Sequence, residues 1–211
     1  MMKQPTKNVS LVSVIALIIL MAGAVLVRLG EITAPALPLV VTLQPLAEWT
    51  DDLVVKHSEL PPGWKPGGQA LQNELGTPAR LYWFQHAEAQ IGRATLSEEF
   101  IVYSTVALAE QAYPNVHDVY FPPAHADKWK TYPELAIQHH ADEIKTACLP
   151  GAQFNGSPNL ACGSIARYQN VIILTQGIVL PDKVLTLANF REMLEAVDRR
   201  IVEVLSRKQS G

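Results

Sequence analysis

The stretch from Val171 to Val204 reads VIILTQGIVLPDKVLTLANFREMLEAVDRRIVEV. It begins with a continuous apolar run, which is typical of a strand that is buried on both faces of a sheet. Its second half has apolar residues at steps of three and four, the period of a helix with one buried side. These residues are Leu187, Phe190, Leu194, Val197, Ile201 and Val204. The stretch therefore predicts a buried strand followed by an amphipathic helix over residues 187 to 205.

The start of this helix and its exposed side are also indicated by the sequence. Thr186 is a good N-cap, because its side-chain oxygen can accept a hydrogen bond from the first turn. Leu185 is expected to pack against Phe190 across the cap. Arg191 and Glu195 are four residues apart, so we expect their opposite charges to meet on the exposed side.

Further strands are indicated by runs rich in β-branched and aromatic residues. They are Leu53–Val55, Ala79–His86, Glu99–Thr105, Asp142–Leu149 and Ser164–Gln176. Single domains usually contain about 100 to 200 residues, so the 211-residue chain has room for one. The sequence therefore predicts the α+β class, with one α/β domain over residues 50–206 and a short tail at 207–211. This domain is expected to have a mainly antiparallel sheet and a C-terminal amphipathic helix.

The middle of the chain is less regular. Val106–Tyr113 predicts a short helix that ends at Pro114, since proline rarely continues a helix. Asn115–Pro133 shows neither the helical nor the strand period and predicts a long surface excursion. We expect most aromatic residues of the chain to lie in the core, but the large ones of this stretch lie among prolines and are candidates for a docking surface, because such side chains are favoured at interface hot spots. They are Tyr120, Phe121, Trp129 and Tyr132.

The N-terminal part predicts a membrane anchor. Residues 8–27 read NVSLVSVIALIILMAGAVLV and contain no charge. A helix of about 20 residues spans the roughly 30 Å hydrocarbon core of a bilayer, so we expect a transmembrane helix at residues 9–29 in contact with membrane lipid. The rival interpretation is a cleaved signal peptide, since Ala22-Gly23-Ala24 fits a small-x-small cleavage site.

Basic residues around the anchor indicate its orientation. Lys3 and Lys7 precede the apolar segment, whereas Arg28 follows it, and this bias places residues 1–8 in the cytoplasm. The protein is then expected to be a single-pass protein of the cell membrane with an extracytoplasmic C-terminal domain. Residues 30–49 contain three prolines and predict an extended linker between the two.

The charge of the chain argues against a nucleic-acid partner. The formal net charge is -3, and the basic residues form no run outside the chain ends. Proteins that bind phosphate backbones need a basic surface. We therefore predict that no nucleic acid is bound.

Cys148 and Cys162 are the two cysteines of the chain. Cysteines that face an oxidising compartment usually pair, so we expect a disulfide between them. Asn155-Gly156 between the two supplies residues that favour a turn between strands. A zinc site is the rival interpretation, but two cysteines without a CxxC arrangement are a poor zinc signal.

Residues with catalytic or metal-binding chemistry are sparse in this sequence. His139, His140, Asp142 and Glu143 form the densest group of potential ligands. Neighbouring residues on a strand point to opposite faces, so we interpret the group as an exposed polar connection and expect no metal. The sequence contains no hydrolase, phosphate-binding or haem-attachment motif. We therefore predict no catalytic residue, no cofactor and no enzymatic activity.

Four short segments of the chain carry a resemblance to known proteins. They are Leu60-Pro61-Pro62-Gly63-Trp64, Tyr103-Ser104-Thr105, Ala141-Asp142-Glu143 and Ala166-Arg167-Tyr168-Gln169-Asn170-Val171-Ile172. With the anchor and the closing helix, they resemble bacterial membrane-anchored extracytoplasmic α/β domains of the PsbP-like and outer sensor-domain folds. The resemblance implies that the Arg-Tyr-x-Asn-Val segment is a central strand. It also implies binding or accessory work rather than catalysis.

The sequence thus favours a non-catalytic, membrane-anchored accessory or interaction subunit. We expect it to act on the extracytoplasmic face and to dock onto a larger membrane or envelope protein complex. The alternative is an extracytoplasmic domain that senses or carries a ligand. A concave pocket with convergent polar groups would favour the ligand alternative, whereas a shallow aromatic patch would favour docking.

Overall fold

The computed structural model describes residues 50–74, 77–86, 95–154, 157–179 and 184–209, so the turn predicted at Asn155-Gly156 lies outside the described residues. The transmembrane helix predicted at 9–29, the cytoplasmic segment at 1–8 and the linker at 30–49 lie outside these residues. Among the helices of the described part, none combines the length and the apolar character needed to cross a bilayer.

The described residues contain one sheet of six antiparallel strands in the order β1-β2-β3-β6-β5-β4. The strands are β1 (Trp64–Glu74), β2 (Thr77–His86), β3 (Thr95–Val102), β4 (Glu143–Phe154), β5 (Ser157–Tyr168) and β6 (Val171–Val179). Each half of the sheet is a three-stranded meander, and the two halves join where β3 pairs with β6. The α+β class and the antiparallel sheet are therefore confirmed.

Helices cover both faces of the sheet. They are α1 (Thr50–Leu53), α2 (Val106–Tyr120) and α3 (Leu187–Gln209), and short 3₁₀ turns lie at His57–Glu59, Pro123–His125 and Pro133–Leu135. Val171 and Ile173 belong to the core that contains Phe190 of α3. Ile172 and Leu174 belong to the core that contains residues of α2. Successive side chains of a strand point to opposite faces, so α2 and α3 pack on opposite sides of β6, and the buried strand predicted from the sequence is confirmed.

The closing helix α3 begins as the sequence predicts. The Thr186 hydroxyl accepts a hydrogen bond from the backbone N–H of Asn189 at 3.1 Å. The Asn189 side chain in turn accepts one from the backbone N–H of Thr186. Leu185 and Phe190 are both fully buried in the same core, and Arg191 pairs with Glu195 at 2.9 Å. An N-cap of this kind stabilises a helix by about 1 kcal/mol.

Two elements near the start of the domain differ from the prediction. The segment Leu53–Val55 is not a strand: Thr50–Leu53 forms one helical turn, and the N–H of Val55 donates to the Glu98 side chain instead of to a neighbouring strand. Residues 64–74, for which the sequence predicts no strand, form β1. Proline is tolerated there because β1 is an edge strand whose register shifts between Pro66 and Gly68.

The middle of the chain also differs from the prediction. The helix α2 does not stop at Pro114 but continues to Tyr120. Tyr113 and Val116 on either side of the proline are buried against the sheet, and this packing outweighs the lost backbone hydrogen bond. The irregular excursion is therefore shorter than Asn115–Pro133 suggested. The predicted strand Ser164–Gln176 is divided by a turn at Gln169 and Asn170.

Both edge strands of the sheet change register beside a proline. β4, at the opposite edge from β1, also changes register beside a proline, between Pro150 and Ala152. The outer side of β4 is met by Lys130, whose backbone exchanges two hydrogen bonds of 2.8 Å with that of Cys148. Each edge of the described sheet is thus interrupted along its length.

Candidate functional site

An open pocket of about 120 Å³ lies at the end of the sheet where β5 turns into β6. It is formed by the chain before β4, the β5–β6 turn and the last turns of α3. Its lining is His140, Asp142, Tyr168, Gln169, Val202, Leu205 and Ser206. Most of these residues are polar, so several polar groups converge on this open pocket.

The floor of the pocket is organised by Asp198 of α3, which is 3% exposed. Its Oδ1 accepts hydrogen bonds from the Tyr168 hydroxyl and from the backbone N–H of His140, both at 2.8 Å. Its Oδ2 lies 2.7 Å from Nδ1 of His140. Three elements that are distant in sequence therefore meet on one buried carboxylate.

The hydrogen bond to Asp198 determines the tautomer of the neutral His140 ring. A carboxylate only accepts hydrogen bonds, so Nδ1 of His140 carries the hydrogen that points to Asp198. In the neutral ring Nε2 is then an acceptor, and it points away from Asp198. The His140 side chain is 68% exposed, whereas that of Asp198 is 4% exposed. The buried carboxylate thus orients an accessible imidazole, as carboxylates behind metal-binding or catalytic histidines do.

Tyr168 connects the pocket to the sheet. Its ring is buried and lies in the core beneath α3, while its hydroxyl reaches Asp198. Burial raises the pKa of Tyr168, and the hydrogen bond to Asp198 raises it further. Tyr168 therefore remains a neutral hydrogen-bond donor, and Asp198 keeps its third donor across the physiological pH range.

The rim of the pocket is strained at Gln169. Its φ of 54° lies in the left-handed region, which side chains other than glycine adopt at a cost of about 1 to 2 kcal/mol. The turn is held by the N–H of Gln169, which donates to Asp142 at 2.7 Å, and by the Asn170 amide, which donates to the carbonyl of Tyr103 at 2.7 Å. Strain of this kind that the surroundings maintain is common at functional sites.

Asp142 belongs both to the pocket and to an ion-pair network around a buried arginine. Arg167 on β5 donates to Asp142 at 3.1 Å and to Glu143 at 2.9 Å. Glu110 of α2 is 3.7 Å from the same guanidinium. The Arg167 side chain is only 8% exposed, so it holds Asp142 in place from behind. The segments Ala141–Glu143 and Ala166–Ile172, which the sequence singled out, thus meet at this pocket.

A second group of polar residues crosses the sheet beneath α3. Tyr82, Glu98, Thr175, Ser164 and Thr146 lie directly opposite one another on five neighbouring strands. Thr146 and Ser164 are joined by a hydrogen bond of 2.9 Å. Glu98 is completely buried, and burial raises its pKa to about 8. Its Oε1 has no hydrogen-bond partner in the described structure, and the raised pKa favours the protonated form of Glu98 at neutral pH.

Two neighbouring acids, the buried Glu99 and the half-buried Glu74, lie on the opposite face, next to α2. The Tyr120 hydroxyl donates to Glu99 at 2.8 Å. Burial raises the pKa of Glu99 to about 7, although the Tyr120 hydrogen bond lowers it, and the neighbouring Glu74 raises it further. Burial also raises the pKa of Glu74.

The structure contains the disulfide predicted between Cys148 and Cys162, with the sulfur atoms 2.05 Å apart. The two residues are directly opposite on β4 and β5. Both are buried, at 0% and 3% exposure. A redox-active disulfide must be reached by another thiol. Because this bridge is buried, we interpret it as a structural disulfide.

The predicted docking residues are mostly turned inward. Phe121 is 3% exposed and belongs to the core beneath α2, so its placement on a surface is corrected. Its ring packs edge-on against that of Trp129, with the two ring centroids 4.7 Å apart. Tyr120 is bound to Glu99, and Tyr132 packs against the core beneath α3. Docking through Tyr120, Trp129 and Tyr132 stays a prediction.

The histidine pair predicted as an exposed polar connection is exposed, but its two members differ. His139 does not line the pocket, whereas His140 does. Among the described residues, no group of three or more His, Cys, Asp or Glu side chains is placed to hold a metal ion.

Asp198 was missed in the sequence, although a signal for it was present. It is four residues after Leu194 and three before Ile201, so it falls within the buried stripe of α3. A carboxylate is rarely buried without partners, so a charge in an apolar stripe indicates a polar site beneath the helix.

A comparison of the chain with protein-family models, with curated proteins and with solved structures finds no match.

Proposed function

We propose that this protein is a non-catalytic, extracytoplasmic domain that binds a small polar ligand in the His140 pocket, and that residues 9–29 tether it to the cell membrane. The observation that carries the proposal is the preorganised floor, in which buried Asp198 orients the exposed His140 ring through hydrogen bonds of 2.7 and 2.8 Å. Groups that are fixed before binding lower the entropic cost of association.

The disposition of the aromatic residues supports a ligand pocket over an aromatic docking patch. A docking patch needs large side chains that a partner can reach, but Phe121 is buried and Trp129 packs on it. The pocket, in contrast, is concave and polar. Ligand sites typically combine such a cavity with a few precisely placed polar groups.

The hydrogen bonds of His140 favour a binding role over catalysis. A histidine that acts as a general base needs a nucleophile within hydrogen-bond reach. Among the described residues, the His140 imidazole is hydrogen-bonded to Asp198 alone. We therefore assign His140 the role of a hydrogen-bonding group for a ligand.

A thermal-shift screen of small polar metabolites on the full-length chain in detergent tests this function. A ligand that binds only the folded state raises the midpoint of unfolding. His140→Ala should abolish the shift, and His139→Ala should leave it unchanged because His139 lies outside the pocket. If no metabolite gives a shift that His140→Ala removes, the ligand-binding function is wrong.

A second candidate is the accessory role, in which the domain docks onto a larger membrane or envelope protein complex. It is supported by Leu108 and Val119 of α2, which are 44% and 38% exposed. They are eleven positions apart, about three helical turns, and thus lie on the same side of α2. Gentle purification from native membranes tests it: a partner should co-purify with the wild type and be lost from Leu108→Glu. Purification of the chain alone would contradict the accessory role.

A further inference from the structure

The acidic groups at the His140 pocket belong to Asp142 and Asp198. Asp142 lines the pocket and its side chain is 46% exposed, while Asp198 lies directly beneath His140. The nearest guanidinium, that of Arg167, is bonded to Asp142 and Glu143 and is nearly inaccessible. Arg207, next to the lining residue Ser206, is turned to Glu203. A cation that enters the pocket therefore meets the half-exposed carboxylate of Asp142, whose Arg167 partner is nearly inaccessible.

The pocket lining includes the Gln169 amide and the Ser206 hydroxyl, which can donate as well as accept, whereas His140 and Asp142 offer acceptors. In the neutral ring Nε2 of His140 offers a lone pair, because Nδ1 carries the hydrogen that points to Asp198. Asp142 uses its Oδ2 for Arg167 and for the N–H of Gln169, which leaves its other oxygen for a ligand. The Tyr168 hydroxyl, which would be a donor, is already directed to Asp198. The pocket thus suits a ligand that donates hydrogen bonds.

The size and the apolar wall limit the rest of the ligand. The pocket measures about 120 Å³, and a protein cavity of about 150 Å³ accepts benzene, a molecule of six heavy atoms. Val202 and Leu205 of α3 form one wall. A chain of a few carbon atoms can pack against this wall while a polar head meets Asp142 and His140.

We infer that the pocket binds a small primary amine in its ammonium form, with the ammonium group on the carboxylate of Asp142 and on Nε2 of His140. The carbon chain lies against Val202 and Leu205. This inference rests on the proposed ligand-binding function and names its ligand class. An ammonium group is favoured over a divalent metal ion because the described residues offer no set of three ligands, and structural or catalytic metal sites use at least three.

Three probes of similar length and different charge test the inference: n-propylammonium, n-propanol and propionate. Each is titrated into the full-length chain in detergent, and the histidine ring signals are followed by nuclear magnetic resonance. Propylammonium should shift the ring signals of His140 in a saturable way. The signals of His139 provide an internal control and should move little.

Two variants separate the pocket charge from the ion pair with Arg167. Asp142→Asn and Glu143→Gln each remove one carboxylate bonded to that arginine, but only Asp142 lines the pocket. Loss of a charge-assisted hydrogen bond should weaken the binding of propylammonium by about tenfold in Asp142→Asn. Glu143→Gln should change it by less than about twofold.

The outcomes distinguish the ligand class from the site itself. If propionate or propanol shifts His140 as strongly as propylammonium, the amine inference is wrong and the ligand-binding function stands. If no probe shifts His140, and no metabolite stabilises the wild type, both are wrong. Equal shifts of His139 and His140 by propylammonium would show only surface association and would also overturn the inference.

Discussion

Glu98→Gln should make the stability of the domain less sensitive to rising pH. Glu98 is completely buried, and its Oε2 accepts a hydrogen bond from the N–H of Val55 at 3.2 Å. Burial raises its pKa from 4.5 to about 8. Glutamine keeps the carbonyl oxygen that this N–H needs but has no proton to release. The substitution therefore separates the ionisation of Glu98 from its packing.

The direction of the pH effect on stability follows from the pKa of Glu98 in the unfolded chain and in the folded chain. Below pH 4.5 the carboxyl group is protonated in both the folded and the unfolded chain, so it has no pH-dependent effect. Between pH 4.5 and about 8 the unfolded chain releases this proton and the folded chain retains it. The free energy of unfolding of the wild type therefore falls as the pH rises through this range. Above about pH 8 this contribution is constant.

The magnitude follows from the size of the shift. Each unit of pKa corresponds to about 1.36 kcal/mol, so a rise from 4.5 to about 8 sets an upper limit of roughly 4 to 5 kcal/mol. Local relaxation and water entry reduce the cost of a buried charge, and we expect about 2 to 4 kcal/mol. As the pH rises from 4.5 to 8, the free energy of unfolding of Glu98→Gln should therefore increase by this amount relative to that of the wild type.

Denaturant unfolding of the full-length chain in detergent at several pH values measures the difference, with tryptophan fluorescence as the probe. Trp64 is 2% exposed and reports on the same core. The exposed Glu192→Gln is the matched control and should parallel the wild type. Glu99 is present in every variant, so its own titration cancels in the comparison. A difference between Glu98→Gln and the wild type that is constant from pH 5 to 8.5 would refute the reasoning.

Three further predictions concern the disulfide, the pocket floor and the topology. Replacing both Cys148 and Cys162 by Ser should lower the free energy of unfolding by roughly 2 to 4 kcal/mol, and labelling of native protein without reductant should detect no free thiol. Tyr168→Phe removes a donor to buried Asp198 and should cost about 1 to 3 kcal/mol, measured by the same unfolding assay. A reporter fused after Gly211 should be active outside the cytoplasm, and activity inside would overturn the predicted orientation.

The elements predicted best are those whose pattern is local. The strand β6 and the helix α3 are specified by a short apolar run and by one apolar stripe, and neither depends on knowing the neighbours. The disulfide could be predicted because the chain has two cysteines and one possible pairing. Thr186 acts as the N-cap because capping involves only the first turn of the helix.

The elements predicted poorly depend on contacts between distant segments. The helix α2 passes through Pro114 because Tyr113 and Val116 are buried on the sheet, which no local rule anticipates. The pocket needs His140, Tyr168 and Asp198 together, and their meeting depends on the strand order and on where α3 crosses the sheet. Glu98 and Glu99 lie in a segment with strand character, but their burial depends on which elements cover each face.

The interrupted edges of the sheet bear on how closely copies of this domain can be crowded together. An uninterrupted edge strand is a template on which a second chain can add its own strand, and crowding makes such addition more frequent. In β1 and β4 a proline and a shift of register break the ladder of free backbone groups, and Lys130 occupies part of the outer side of β4. At high local concentration, neither edge of the described sheet therefore offers an uninterrupted template for β-aggregation.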